Sequence, residues 1–166
     1  LIKPTVTVQR KKRGKGVAGI ASLAPGPDRV KVGFPAGEAD SDVISRAVWN
    51  EFGTRGGASG GGWGGPIPER PFMRNAMRNN QDAYKAGMKA ASKTIVDKAA
   101  AGEDVSAAKR QALGKLGVKA KGDIQAEITS LSSPPNSPVT IGLKGSSNPL
   151  IDSGEMRNSV TFKIDD

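Results

Sequence analysis

No helix can run through the interval between Gly53 and Pro71, and that interval orders everything around it. Val43, Ile44, Ala47, Val48 and Phe52 recur at three- and four-residue spacing, which predicts one apolar face of a short helix starting near Asp40, Ser41 or Asp42. Gly53 follows the last of them, where a residue without a β-carbon can take the left-handed conformation that closes a helix end. Pro71 suits a first helical position, because its fixed φ fits a helix and its missing N–H would be unpaired there anyway. Arg70, preceding proline, is predicted extended. Between the two helices lies a glycine-rich stretch from Gly53 to Gly65 that reaches on the order of 20 Å as a flexible coil. Structureless loops of that length are uncommon unless functional or disordered.

With 166 residues the chain suits a single domain with extended arms. Only 4% of residues are aromatic, while Gly 22 and Pro 11 are high, so a small aliphatic core with much irregular chain is expected. No apolar run approaches a membrane span, and the start does not read as a secretory signal. The absence of cysteine and histidine removes disulfides, thiolate chemistry, the commonest metal ligand and the commonest general base, which argues against an enzyme and against a cofactor or metal site. A net charge of +9 favours contact with something acidic, or serves solubility alone.

Thr5 to Val8 alternates as a short strand and runs into Arg10, Lys11, Lys12, Arg13 and Lys15, a block that reads either as a solvated arm or as a phosphate-contacting patch. The N-terminal unit is therefore drawn as 1–28, and a single α+β domain as 29–166. Arg29 to Phe34 alternates as a strand. After Pro71, Met73, Met77, Tyr84, Met88, Ala91, Ile95 and Ala99 keep helical spacing to about Ala100, with Asn79-Asn80 as a place for a kink and the methionines as core filler. Gly102 ends that helix. Asp104 then precedes a second long stripe: Val105, Ala108, Ala112, Leu116, Ala120, Ile124, Ile128 and Leu131. Gly114, Gly117 and Gly122 interrupt it, each at a cost of roughly 1 kcal/mol relative to alanine, so the helix bends there or something packs close against it. The pair predicts a helical hairpin. Pro134, Pro135 and Pro138 mark a break. Val139 to Lys144 reads as strand or helical turn. Asp152 with Glu155 has the spacing of a capping box before a short helix, and Val160 to Ile164 is a closing strand placed beside Val30 to Phe34.

Two formal catalytic matches fail on context. Gly57 to Gly61 has the spacing of a nucleophile elbow, but a helix rather than a strand precedes it and the chain has no histidine. Gly60, Gly62 and Gly65 satisfy a dinucleotide fingerprint, yet Pro66-Ile67-Pro68 stands where a helix should begin. Trp63 is the anomaly in this loop. Burying its side chain removes about 150–250 Å² from water, worth roughly 4–6 kcal/mol as an upper value. It either docks on a neighbouring subunit or folds back on its own domain. Arg55, Arg70 and Arg74 flank the loop and are read as partners of Glu51 and Glu69 across a subunit boundary, with inconsequential surface pairing as the competing reading.

Two separated blocks, read together, resemble the neck and tail-completion family of tailed bacteriophages. The first is Trp49-Asn50-Glu51-Phe52-Gly53-Thr54 with Ile67-Pro68-Glu69-Arg70-Pro71-Phe72-Met73-Arg74. The second is Asn148-Pro149-Leu150-Ile151-Asp152-Ser153-Gly154-Glu155-Met156-Arg157-Asn158-Ser159-Val160-Thr161. The family pattern is approximately N-E-[FY]-G-T, I-P-x-R-P-F-[LM]-R and P-L-[IV]-D-T-G-x-[LM]-R-N-S-[IV]-T. Coverage runs from about Val30 to Ile164. Ser153 replaces the usual threonine, and the glycine-rich insertion with Trp63 departs from the pattern. The resemblance implies a non-enzymatic virion component, assembled in the host cytoplasm, that forms a ring at the neck between head connector and tail terminator or tail tube. Such rings are often hexameric, in some cases of higher order such as dodecameric. Within such a ring, subunit contacts are expected from the residues themselves at Glu51, Arg55, Trp63, Arg70, Arg74, Asp152 and Arg157, with 53–70 as a contact loop. Arg10 to Lys15 would then meet DNA in the channel. A rival class is an independent DNA-binding protein that uses the same basic arm; a membrane-surface role fits less well, since the arm lacks an apolar face.

Overall fold

The computed structural model describes residues 25–35, 37–55 and 66–165. Among them, an antiparallel pair of strands and six helices form a small α+β fold around one long helix. In chain order these are β1 (Arg29–Gly33), α1 (Ser41–Phe52), α2 (Phe72–Asn79), α3 (Gln81–Ala100), α4 (Val105–Ser130), α5 (Pro138–Lys144), α6 (Glu155–Asn158) and β2 (Thr161–Asp165). The terminal strands pair as their alternation predicts, with Val32 opposite Phe162 and Arg29 opposite Asp165. Thr5 to Val8 lies outside the described residues.

Helix α4 is the axis on which the other elements pack. Asp104 caps it by accepting from the Ser106 and Ala107 N–H groups, and its stripe of Ala120, Ile124 and Ile128 is buried. Onto this stripe close Val43 and Ala47 of α1, Phe72 and Ala76 of α2, Leu150, Met156 of α6 and Val160, forming the main core. Phe34 meets Phe72 edge-on, with ring centroids 6.3 Å apart. The glycine interruption in α4 has a local reason at Gly117: a β-carbon there would lie 2.6 Å from the Cγ of Phe162, so the ring from β2 rests directly on the helix backbone. Gly114 and Gly122 face open space.

Helices α3 and α4 form the expected hairpin, joined where Lys98 pairs with Glu103. Its own core is small, made of Ile95, Val105 and Ala108. The long helix after Pro71 is divided at Asn80, whose side chain donates to the Ala76 carbonyl at 2.9 Å. Pro71 itself precedes the first helical residue. Met77 and Met88 are exposed, and of the three methionines on that stripe Met73 packs against the main core. Their flexible side chains thus do not fill a core as expected, because the hairpin offers none deep enough.

One capping expectation changes, and one open reading is decided. Gly154, in the left-handed region at φ 81°, precedes α6, and Ser153 Oγ accepts from the Glu155 N–H at 3.3 Å, so Asp152 is not the cap. Val139 to Lys144 is helical: Ser137 Oγ accepts from the Thr140 N–H at 3.2 Å and Gly145 closes the turn at φ 65°.

Candidate functional site

The buried face of α1 is completed by a charge. Val43 and Ala47 point inward as predicted, but the third member is Glu51, 3% exposed, while Val48 and Phe52 face outward. Glu51 lies against the start of α2, where the first N–H groups have no partner inside the helix. Its carboxylate accepts from the Met73 N–H at 2.9 Å and the Arg74 N–H at 3.1 Å, and so caps one helix from the end of another. The same carboxylate accepts from Arg74 Nε at 2.9 Å. Arg74 Nη2 also donates to the Glu51 carbonyl at 2.6 Å and to Glu69. These contacts hold the Arg74 guanidinium pKa above its ordinary value, the Glu51 hydrogen bond first and the Glu69 bond second. Arg74 further lies over the outward Phe52 ring, 5.2 Å from its centroid.

Arg70 is the second pole, 4% exposed. Its Nε donates to the Pro134 carbonyl at 2.8 Å and Nη1 to Asn50 Oδ1 at 3.1 Å. Its Nη2 donates to the Pro135 carbonyl at 3.1 Å and to Asn136 Oδ1 at 3.2 Å. Desolvation lowers its pKa, yet none of the neighbouring acceptors is charged. The planar, forked guanidinium suits such a set of neutral carbonyls in a way that a lysine ammonium does not. Among the described residues no buried side-chain nitrogen or oxygen lacks a partner.

Around these two arginines the ends of the glycine-rich interval are tied together. The Thr54 N–H donates to the Ile67 carbonyl at 2.9 Å, the Ile67 N–H to Thr54 Oγ1 at 3.0 Å, and the Arg70 N–H to the Asn50 carbonyl at 2.6 Å. Gly53, at φ 69°, makes the turn; a β-carbon on it would lie 3.0 Å from the Ile67 carbonyl oxygen. The described ends of the interval therefore meet at one mouth.

The frame continues into the C-terminal block. Asn136 Nδ2 donates to the Asn148 carbonyl at 3.4 Å, and Asn148 Oδ1 accepts from the Leu150 and Ile151 N–H groups at 3.0 Å. Arg46 of α1 pairs with Glu155 of α6 at 2.5 Å. Between them lies a shallow depression of about 170 Å³ that includes Asn50, Lys144 and the exposed Asp152. Burial lowers the Lys144 pKa; Asp152 opposes this and Arg70 adds to it.

The pairs expected across a subunit boundary, Arg74 with Glu51 and Glu69, are thus made within one chain, because the N-terminus of α2 sits against the end of α1. Arg70 uses uncharged partners in place of either glutamate. Arg55 is exposed at the loop mouth, and Arg157 is half-buried, its carbonyl accepting from Gln125 Nε2 at 3.0 Å. Trp63 and the basic run Arg10, Lys11, Lys12, Arg13 and Lys15 lie outside the described residues. Sequence reading missed Asn50, Asn136 and the Pro134 and Pro135 carbonyls. Asn50 stands inside a quoted motif, but backbone acceptors carry no side-chain signature.

Among the described residues no cluster of His, Cys, Asp and Glu is arranged to hold a metal ion, and no helix is long and apolar enough to cross a membrane. Comparison with protein-family models, with curated proteins and with solved structures finds no significant match to this chain.

Proposed function

We propose that this chain is a non-enzymatic structural subunit of a tailed-phage virion, forming a homo-oligomeric ring at the neck that joins the head connector to the tail. The supporting observation is the convergence of the two blocks that carry the resemblance. They are separated in sequence by the whole α3–α4 hairpin, yet they share one buried frame through Arg70, Asn136 and Asn148 and one apolar core through Phe72, Leu150 and Met156. A frame of this kind presents a loop from a fixed mouth, which suits contact between copies better than it suits chemistry. Subunits of a closed ring meet through two different patches of one chain, so each patch must hold its position relative to the other. Exposed apolar side chains on α1 and α5, including Phe52 and Leu143, accord with surfaces covered on assembly.

The test is direct. Images of intact particles with symmetry assigned at the neck should place this chain there as a ring; its absence from purified virions would overturn the reading. A second reading rests on the +9 charge and the basic run Arg10 to Lys15: an independent DNA-binding protein. It requires that the purified chain bind duplex DNA with strong salt dependence, and that replacing those five residues by alanine abolish the binding.

A further inference from the structure

The chain enters the described fold at one edge of an apolar groove. Between α3 and α4 lies a depression of about 220 Å³ lined by Met88, Ile95, Leu113 and Leu116, with Pro27 and Asp28 forming part of its wall. Small-molecule sites run to about 300–1,000 Å³, so this space suits aliphatic side chains better than a cofactor. Met88 is 50% exposed and the two leucines are half-buried.

Three contacts fix the point of entry. Gly26 lies against the first turn of α4, where a β-carbon on it would stand 2.5 Å from Ser106 Oγ. Its carbonyl accepts from Lys109 Nζ at 3.1 Å, and Pro27 is fully buried. Ser106, Lys109, Leu113 and Leu116 follow at three- and four-residue spacing, so the entry point and the groove floor share one face of α4. Pro25 and Gly26 form a bend, with proline supplying a fixed φ and Gly26 a positive one of 99°. A chain reversed there runs back beside Pro27 and Asp28.

The sequence before the bend matches the space. Val17, Ala18, Ile20, Ala21, Leu23 and Ala24 make residues 17–24 mostly apolar, and none of the eight is charged. From Ser106 to Leu116 is about 15 Å along the helix, within the roughly 26 Å that eight extended residues reach. Buried Lys109 in the groove wall repels the basic run farther upstream, which leaves this uncharged stretch as the fitting one.

We infer that residues 17–24 dock in the α3–α4 groove of their own chain, with Ile20 and Leu23 set against Met88, Leu113 and Leu116. A tethered segment acts at an effective concentration of about millimolar, so it outcompetes a second copy for the same groove. The inference goes beyond the ring reading and does not depend on it. It shortens the basic arm to residues 1–16.

Met88 lies in the groove and Met77 outside it, 50% and 36% exposed. In the full-length chain under dilute peroxide, Met88 is expected to oxidise roughly threefold or more slowly than Met77, read as methionine sulfoxide by mass spectrometry. Ile20→Asp with Leu23→Asp in one full-length chain should abolish that protection while circular dichroism stays unchanged. Met88 oxidising as fast as Met77 in the wild type overturns the docking, and protection lost on dilution overturns it in favour of a second copy. A trapping measurement does not require the aspartate variant to fold. The chain has no cysteine, so Leu23→Cys with Leu113→Cys should close an intramolecular disulfide at high dilution, whereas Leu23→Cys with Val118→Cys, outside the groove, should not. Equal closure in the two pairs refutes the contact. Neither readout needs self-association, so the ring reading stands or falls separately.

Discussion

The arginine–glutamate frame and the α3–α4 hairpin are built on opposite principles. In the frame, identity is everything: Glu51 satisfies two backbone N–H groups and Arg74, and Arg70 satisfies four acceptors from two other parts of the chain. In the hairpin only the pattern matters. Alanine and glycine keep the two helices close, Gly87 lying near Leu116, while Met88, Lys85, Lys89 and Lys93 of α3 remain exposed. A polar network buried from water fails when one member is lost, because each orphaned group keeps its desolvation cost. A thin apolar seam loses only the area that is removed.

That contrast can be broken most forcefully at Arg70. Arg70→Ala strands the Pro134 and Pro135 carbonyls and two asparagine side chains, and should cost roughly 3–5 kcal/mol, a large share of the stability of a small domain. Glu51→Ala, which uncaps α2, should cost somewhat less, about 3 kcal/mol, since Arg74 is partly exposed and rehydrates. Urea unfolding measures both; a loss below that of Met88→Ala in the hairpin would refute the contrast. The next effect belongs to the seam between α4 and β2. Gly117→Ala drives a methyl into the Phe162 ring and should cost about 1–3 kcal/mol, whereas Gly114→Ala, which meets open space, should be neutral or stabilising by thermal melting.

The smallest effect sharpens the hairpin side. Tyr84 donates to Asp123 Oδ2 at 2.6 Å, and burial together with that carboxylate raises its pKa above the ordinary tyrosine value. Deprotonation is therefore resisted in the folded chain. The contribution is fully present below a pH of about 10, where an unfolded tyrosine ionises, and is lost as pH rises beyond that through the folded pKa. Tyr84 is the single tyrosine, so phenolate absorbance reports it alone. Its titration should lie above that of the unfolded chain, and Tyr84→Phe should cost about 1 kcal/mol at neutral pH. Superimposable titrations of folded and unfolded protein would remove the Asp123 contact from the account.

Most elements were legible because their signals are local. Spacing predicted α1, the hairpin and the terminal strand pair, and Gly53 and Asp104 marked helix ends through conformation and capping that neighbouring residues determine. Asp152 misled for the same reason in reverse: a capping spacing was present, but the left-handed Gly154 moved the start of α6 beyond its reach. The methionines at 77 and 88 misled because periodicity says which side chains share a face, not whether anything lies across from it.

By itself, then, the sequence determined most of the helices and the terminal strand pair, where the chain must turn, and which chemistries lack their residues, while Val139 to Lys144 stayed open between strand and helix. Only the tertiary structure decided that Glu51 faces inward, that Arg74 finds its glutamates within the same chain, and that Arg70 reads the carbonyls of Pro134 and Pro135. The physical reason is that charge burial is set by partners brought from afar. An arginine looks the same in sequence whether water or a ring of backbone oxygens surrounds it, and only packing α1, α2 and the proline loop together makes that choice.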